Sequence, residues 1–342
     1  MNKIFKSVSL LAAAAVVLPS LANAGSKSIY GNDDRQDYFE ASPAMRQLAD
    51  SVVSLWPSKQ VKFEGGEFKL ATIGFGEALN LCPGEKFREQ PIGAFCSGTL
   101  VGEDLVMTAG HCITDEAKCA DTKLVFGFNI TAAGGAPSTS VKPENIYGCK
   151  RIVKRALDKQ ASGIIGTGLA IIGALLNKEA GPDFALIQLD RKVEGRKPLA
   201  IDRGGAAKGD RVFVIGHPVG LPVKVAGDAT VRDNSFKAFF LTDLDTFGGN
   251  SGSAVFNART NLIEGILVRG GTDFVDSPAG CKTQYRTGQN EGKGEAVTKI
   301  SVLSSFIPEL RASKSAPTVE AIGVQVEEIV APSEDLSRRL QF

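Results

Sequence analysis

With 342 residues the chain is long enough for one large or two small domains with a sizeable core. Charged residues make up 23% and hydrophobic residues 43%, values that exclude a disordered chain, a collagen and a polytopic membrane protein. Lys+Arg 39 against Asp+Glu 38 leaves a net charge of +1, without the basic field that a phosphate backbone demands, so nucleic acid is not an expected partner.

Residues 1–24 carry Lys3 and Lys6, an apolar run over 8–18, Pro19 and Ala22-Asn23-Ala24. This is the order of a secretory signal cleaved after Ala24, and its apolar run falls short of the roughly 20 residues of a membrane span. A secreted or periplasmic protein of bacterial type is expected, with 37 basic against 38 acidic residues once Lys3 and Lys6 are removed. Residues 25–60 are polar and mixed, with Asn32-Asp33-Asp34-Arg35 and a short helix expected over 43–55; they read as an N-terminal arm or pro-segment. From 61 to 311, short β-rich runs punctuated by glycine dominate, at 99–108, 123–128, 184–189, 211–215 and 262–268. Glycine is high, at 38 residues, and the spacing predicts an all-β body of barrels or a sandwich. The run 164–176, inside an insertion over about 160–180, is apolar but too short to span a bilayer. It reads as a buried hairpin or surface insertion in preference to a patch that meets lipid or a partner. Val302, Leu303, Phe306, Ile307 and Leu310 fall near one face of a helix expected over 302–310, and 312–342 reads as a C-terminal extension with little core.

Six cysteines (Cys82, Cys96, Cys112, Cys119, Cys149 and Cys281) in an exported chain read as disulfides, and none shows the close paired spacing of a zinc site, so no metal is expected. A Cys96–Cys112 bridge would pin the loop that holds His111, contributing about 3 kcal/mol. The remaining four allow three connectivities, of which Cys119–Cys149 with Cys82–Cys281 is the one adopted.

Only two histidines exist. His111 ends the apolar stretch Cys96-Ser97-Gly98-Thr99-Leu100 through Thr108-Ala109-Gly110, whereas His217, in Gly216-His217-Pro218, reads as a turn residue. Thr246-Phe247-Gly248-Gly249-Asn250-Ser251-Gly252-Ser253 sets a serine in a tight glycine turn, where positive φ lets the Gly249 and Ser251 N–H groups converge on a developing oxyanion. Asp183 opens the apolar run 184–187, placed to hold the Nδ1–H of a histidine. A serine hydroxyl needs a base to attack, and the base needs an acid to fix its tautomer. The chain order is His111, Asp183, Ser251, unlike the α/β-hydrolases, which place the histidine after the serine.

The strings TAGHC, DFALIQL and GGNSGSAVFN, in that order, resemble the chymotrypsin-type (trypsin-like) serine endopeptidases. GGNSGS and Tyr30-Gly31-Asn32-Asp33-Asp34-Arg35 are most similar to the bacterial branch that includes glutamyl endopeptidases of the V8 type. The resemblance implies two six-stranded antiparallel β-barrels with a C-terminal helix, a boundary near 195–205, and a site between the barrels. It implies protein or peptide substrates and no cofactor; a monomer is the expectation for the assembly. Asn250 stands where the digestive enzymes carry the aspartate that a freed N-terminus pairs with, so that activation switch is not expected, although trimming near Ser28-Ile29 fits the V8-like resemblance.

The same resemblance puts Asp245 at the base of the primary pocket, where a buried carboxylate would favour Lys or Arg. Leu267 stands where the glutamyl branch has its substrate-reading histidine, and Arg269, on the expected pocket wall, would either neutralise Asp245 or attract acidic side chains. A serine endopeptidase preferring Lys/Arg is the expectation; an acid-preferring one and a non-catalytic secreted binding or adhesion protein on the same fold are the alternatives.

Overall fold

The computed structural model describes residues 29–157, 181–270 and 273–310. The expected signal sequence, the apolar run 164–176 and the extension 312–342 lie outside the described residues.

The first barrel consists of β1 (Val52–Pro57), β2 (Cys96–Leu100), β3 (Leu105–Thr108), β4 (Thr122–Phe126), β5 (Ile146–Leu157) and β6 (Asp183–Leu189). They pair in the order β4-β5-β6-β3-β2-β1, and β1 returns to β4 to close the ring. The second barrel consists of β7 (Arg211–Gly216), β8 (Lys224–Asp233), β9 (Phe239–Thr242), β10 (Ala254–Asn257), β11 (Ile263–Arg269) and β12 (Glu295–Lys299). Its order is β7-β10-β11-β12-β9-β8, closed by pairing of β8 with β7. All of these pairings are antiparallel, and residues 190–210 carry the chain from one barrel to the other.

The period of two along a strand explains how the barrels both fill and join. On β7, Val212 and Val214 enter the interior of the second barrel, with Phe240, Val255, Leu267 and Val297. The alternate Phe213 and Ile215 face the other way and join one apolar cluster with Val53, Leu55, Leu100 and Leu186 of the first barrel. A strand covered on both sides is apolar at nearly every position, which is why RVFVIG shows no polar alternation.

The N-terminal arm is part of this body. Ile29–Tyr30 pairs with Arg286–Thr287, Gln36–Asp37 adds to the edge of β8, and β1 is a wall of the first barrel, so the barrel starts at Val52, ahead of the expected boundary at 61. The helix expected over 43–55 ends at Ala49 (α1, Pro43–Ala49, capped by Ser42), because Val52, Val53 and Leu55 are drawn into the barrel core. At the other end, the helical closure expected over 302–310 takes the form of two 3₁₀ turns, Ile300–Val302 and Ser304–Phe306, which seat Ile300, Leu303 and Ile307 on the shared core.

Three disulfides pair Cys82 with Cys281, Cys96 with Cys112 and Cys119 with Cys149. The first spans 199 positions. No helix among the described residues is long and apolar enough to cross a membrane.

Candidate active site

Strand register brings the histidine to the aspartate. Ala185 on β6 lies opposite Thr108 on β3, so the chain leaving β3 through Ala109-Gly110-His111 runs back past Asp183, the first residue of β6. His111 Nδ1 lies 2.8 Å from Asp183 Oδ2, and the His111 backbone N–H donates to Oδ1 at 3.1 Å. Gly110 makes this approach available: a Cβ there would sit 3.0 Å from Asp183 Oδ1 and 2.9 Å from the Phe184 carbonyl oxygen. Asp183 is 2% exposed, and its own backbone exchanges hydrogen bonds with the Thr298 hydroxyl, which joins β6 to β12. With Nδ1 committed to the carboxylate, the proton-accepting position left on the ring is Nε2.

Ser251 enters the same seam from the second barrel, in the turn ahead of β10. Its carbonyl oxygen accepts the Ser97 N–H at 2.9 Å and lies 3.7 Å from Cys112 Sγ, the residue after His111. Gly252, at φ +91°, lets the turn press against the Ser97 carbonyl and Ala109 N. The Ser251 hydroxyl makes no hydrogen bond among the described residues.

The backbone N–H groups of Gly249 and Ser251 donate to no protein acceptor among the described residues. Their directions are set by the carbonyls of the same peptides, because N–H and C=O point oppositely in a trans peptide. The Gly248 carbonyl accepts from Val219 N–H and the Asn250 carbonyl from Ser253 N–H, so both neighbouring N–H groups point away from those partners. Gly249 has φ +84°, and a Cβ there would meet His217 O at 2.7 Å and Val219 N at 2.9 Å.

The second histidine is a buried structural group. His217 Nδ1 bonds to the Leu221 carbonyl at 2.9 Å, and burial holds its pKa down to about 4, so the ring stays neutral. Of the two histidines, His111 is the one whose ring meets a carboxylate.

The expected pocket residues fare differently. Asp245 is 3% exposed and accepts the backbone N–H of Tyr30 at 2.7 Å and of Asp34 at 3.1 Å. The N-terminal arm therefore wraps behind it, a contact that sequence spacing did not signal. Burial pushes its pKa up to about 6, and Asp34 beside it is pushed up to about 8 by burial and then by Asp245. Leu267 is fully buried: the alternation of β11 turns Ile266 and Val268 to the shared core and Leu267 into the interior of the second barrel. Arg269 does not neutralise Asp245 as one expectation had it; its Nη2 reaches the Gly181 carbonyl at 3.4 Å, ahead of Asp183. Also unforeseen is a cluster behind the serine turn. There Arg35, 1% exposed, pairs with Asp33 at 2.7 Å and lies 4.4 Å over the Phe247 ring. The buried Lys224 holds the same arm through Asp37 at 2.6 Å.

Two closed barrels with the candidate residues at their seam make the fold chymotrypsin-like. The family model of the trypsin-like peptidase domain matches residues 96–266, half of the chain, and the chain belongs to that family. No curated protein matches it. Among solved structures it is similar to a Glu endopeptidase in complex with MPD, at 16% identity and TM-score 0.42, covering 82% of this chain and 97% of that one. It is likewise similar to human heparin binding protein, at 14% identity and TM-score 0.45, covering 81% and 95%.

Proposed function

We propose that the protein is an exported serine endopeptidase. Ser251 attacks the scissile carbonyl, His111 takes its proton through Nε2 and returns it to the leaving amine, and Asp183 holds the ring in the productive tautomer. The Gly249 and Ser251 N–H groups receive the oxyanion of the tetrahedral intermediate. The reaction calls for no cofactor. The observation that carries this reading is the 2.8 Å contact between His111 Nδ1 and the buried Asp183 carboxylate, formed at the seam where Ser251 emerges. A fluorophosphonate probe tests it: labelling of the wild type that disappears in Ser251→Ala supports the enzyme, and absence of labelling in the wild type, including after trimming near Ser28-Ile29, supports a non-catalytic binding protein.

Cleavage after Lys or Arg is the finer reading. Asp245 is buried with two backbone donors and no ion-pair partner among the described residues, and carboxylate oxygens have capacity for further donors. A cationic substrate side chain would give it a direct ion-pair partner. The V8-like, acid-preferring reading draws on Arg35, whose Nη1 is buried without a hydrogen-bond partner. Cleavage of a peptide library separates the two. Export is supported by the three disulfides, and mass spectrometry of the protein recovered outside the cytoplasm tests it through the position of the new N-terminus.

A further inference from the structure

We infer that Ser97 is a positioning residue for the oxyanion-binding turn, acting from the opposite barrel. The inference rests on the serine-peptidase reading above and adds a residue to it. Ser97 lies on β2, is fully buried, and makes four hydrogen bonds, three of them across the seam between the barrels. Its hydroxyl donates to the Gly249 carbonyl at 2.8 Å and accepts the His217 N–H at 2.9 Å. Its backbone N–H donates to the Ser251 carbonyl at 2.9 Å. Its carbonyl, within the first barrel, is held by the Thr108 hydroxyl at 2.7 Å.

One residue thus holds the carbonyls of both donor residues, fixing the peptide unit that follows each donor N–H, while the Val219 and Ser253 N–H groups fix the donor peptides themselves. The two grips differ in kind. The bond to Ser251 uses the main chain and is independent of residue type, whereas the bond to Gly249 requires a hydroxyl at position 97. Gly249 needs that restraint, because a glycine at φ +84° has no side chain to oppose rotation of its peptides. The neighbouring contacts complete the clamp: Val219 N–H holds the Gly248 carbonyl, and the Asp273 carboxylate accepts Gly248 N–H at 2.8 Å. The 217–221 loop that supplies Val219 is itself tied to Ser97 through His217 N–H, so loss of the hydroxyl loosens the turn and its backing together. A donor that must rotate into place during the reaction stabilises the transition state less than one already fixed.

The experiment compares wild type with Ser97→Ala, and with Ser97→Gly as a second variant lacking the same hydroxyl, at a temperature where circular dichroism shows each folded. Three quantities are measured: kcat, KM, and affinity for a peptidyl trifluoromethyl ketone, which forms an oxyanion on the serine. The expected result is a fall in kcat of about 10- to 100-fold, short of the ~10²–10³ lost with an oxyanion donor itself. Ketone affinity falls in parallel, and KM changes by less than about threefold. A merely structural serine would lower the melting temperature and leave the ratio of ketone affinity to KM unchanged, and that result overturns the inference. A wild type that neither hydrolyses peptides nor takes the fluorophosphonate overturns the peptidase reading, and the role of Ser97 falls with it.

Discussion

Tyr30 donates its backbone N–H to Asp245 Oδ1 at 2.7 Å across 215 positions of sequence, so the start of the described chain is seated directly behind the segment that leads to Ser251. A carboxylate in this place anchors the arm and, on the proposed reading, would also charge the base of the primary pocket. Asp245→Asn separates them. Its amide oxygen can still accept one N–H, but its NH₂ group opposes the other, so hydrogen exchange at the Tyr30 and Asp34 amides should quicken by about tenfold or more. If the carboxylate also reads basic side chains, kcat/KM for Lys and Arg substrates should fall by at least about 10²-fold, as expected when a buried charge loses its partner. Faster exchange with an unchanged substrate preference would confine Asp245 to the anchor.

Asp183→Asn tests the orienting acid. The carboxamide presents either a donor or an acceptor to Nδ1, and the tautomer that leaves Nε2 able to take the serine proton is no longer enforced. The expected loss in kcat is about 10⁴-fold, with KM little changed and the fold retained, because the backbone bonds of residue 183 to Thr298 do not involve the side chain. Steady-state kinetics and thermal melting check this together; a loss below about tenfold would remove Asp183 from the mechanism.

Gly252→Ala should destabilise the protein. The added methyl would collide with the Ser97 carbonyl and the Thr108 hydroxyl, in a residue already at φ +91°. A cost of at least about 2 kcal/mol follows, from backbone strain of 1–3 kcal/mol and displacement of the seam. Urea denaturation should show it as a lower midpoint with an unchanged slope.

Glu264 supplies a pH dependence away from the candidate site. It is 1% exposed, accepts a bond from Asn257 Nδ2 at 2.9 Å, and is pushed up to about 7 by burial, with Asp202 and Asp210 adding to the effect. The folded protein therefore holds this proton where the unfolded chain, at about 4.3, has released it. Its contribution is fully present below about pH 4 and is lost as pH rises through 7. Glu264→Gln cannot ionise, so it should match wild type near pH 4 and be more stable by ~1–3 kcal/mol at pH 8. Denaturation at the two pH values checks the sign; an equal effect at both would assign the change to packing.

The parts of the site legible in the sequence were those whose chemistry demands residue identity over a short stretch. His111 beside a cysteine, Asp183 opening an apolar strand and Ser251 among glycines each carry a local reason for their neighbours, and the register of β3 with β6 turns two of those reasons into contact. Contacts between distant segments were not legible. Nothing in Tyr30-Gly31-Asn32-Asp33-Asp34 indicates that its backbone will cap Asp245. Val52-Val53-Ser54-Leu55, apolar on both faces, lacks the alternation that separates a barrel strand from the end of a helix. Leu267 illustrates the opposite limit: its position in the string was assigned, but a single step along β11 decides between pocket and core. Ser97 went unremarked beside Cys96 because its role exists only where the barrels touch.

The Cys82–Cys281 bridge joins a cysteine that precedes residues 190–210 to one that follows them. A protease cut in that exposed connection, at Gly204 or Gly205 for instance, would leave two fragments that migrate as one species on a non-reducing gel and separate only after thiol treatment. The covalent link keeps the His111 fragment at high effective concentration around the Ser251 fragment. A nicked molecule can therefore retain its assembled cleft, and loss of activity on ageing should track reduction more closely than backbone scission in this stretch.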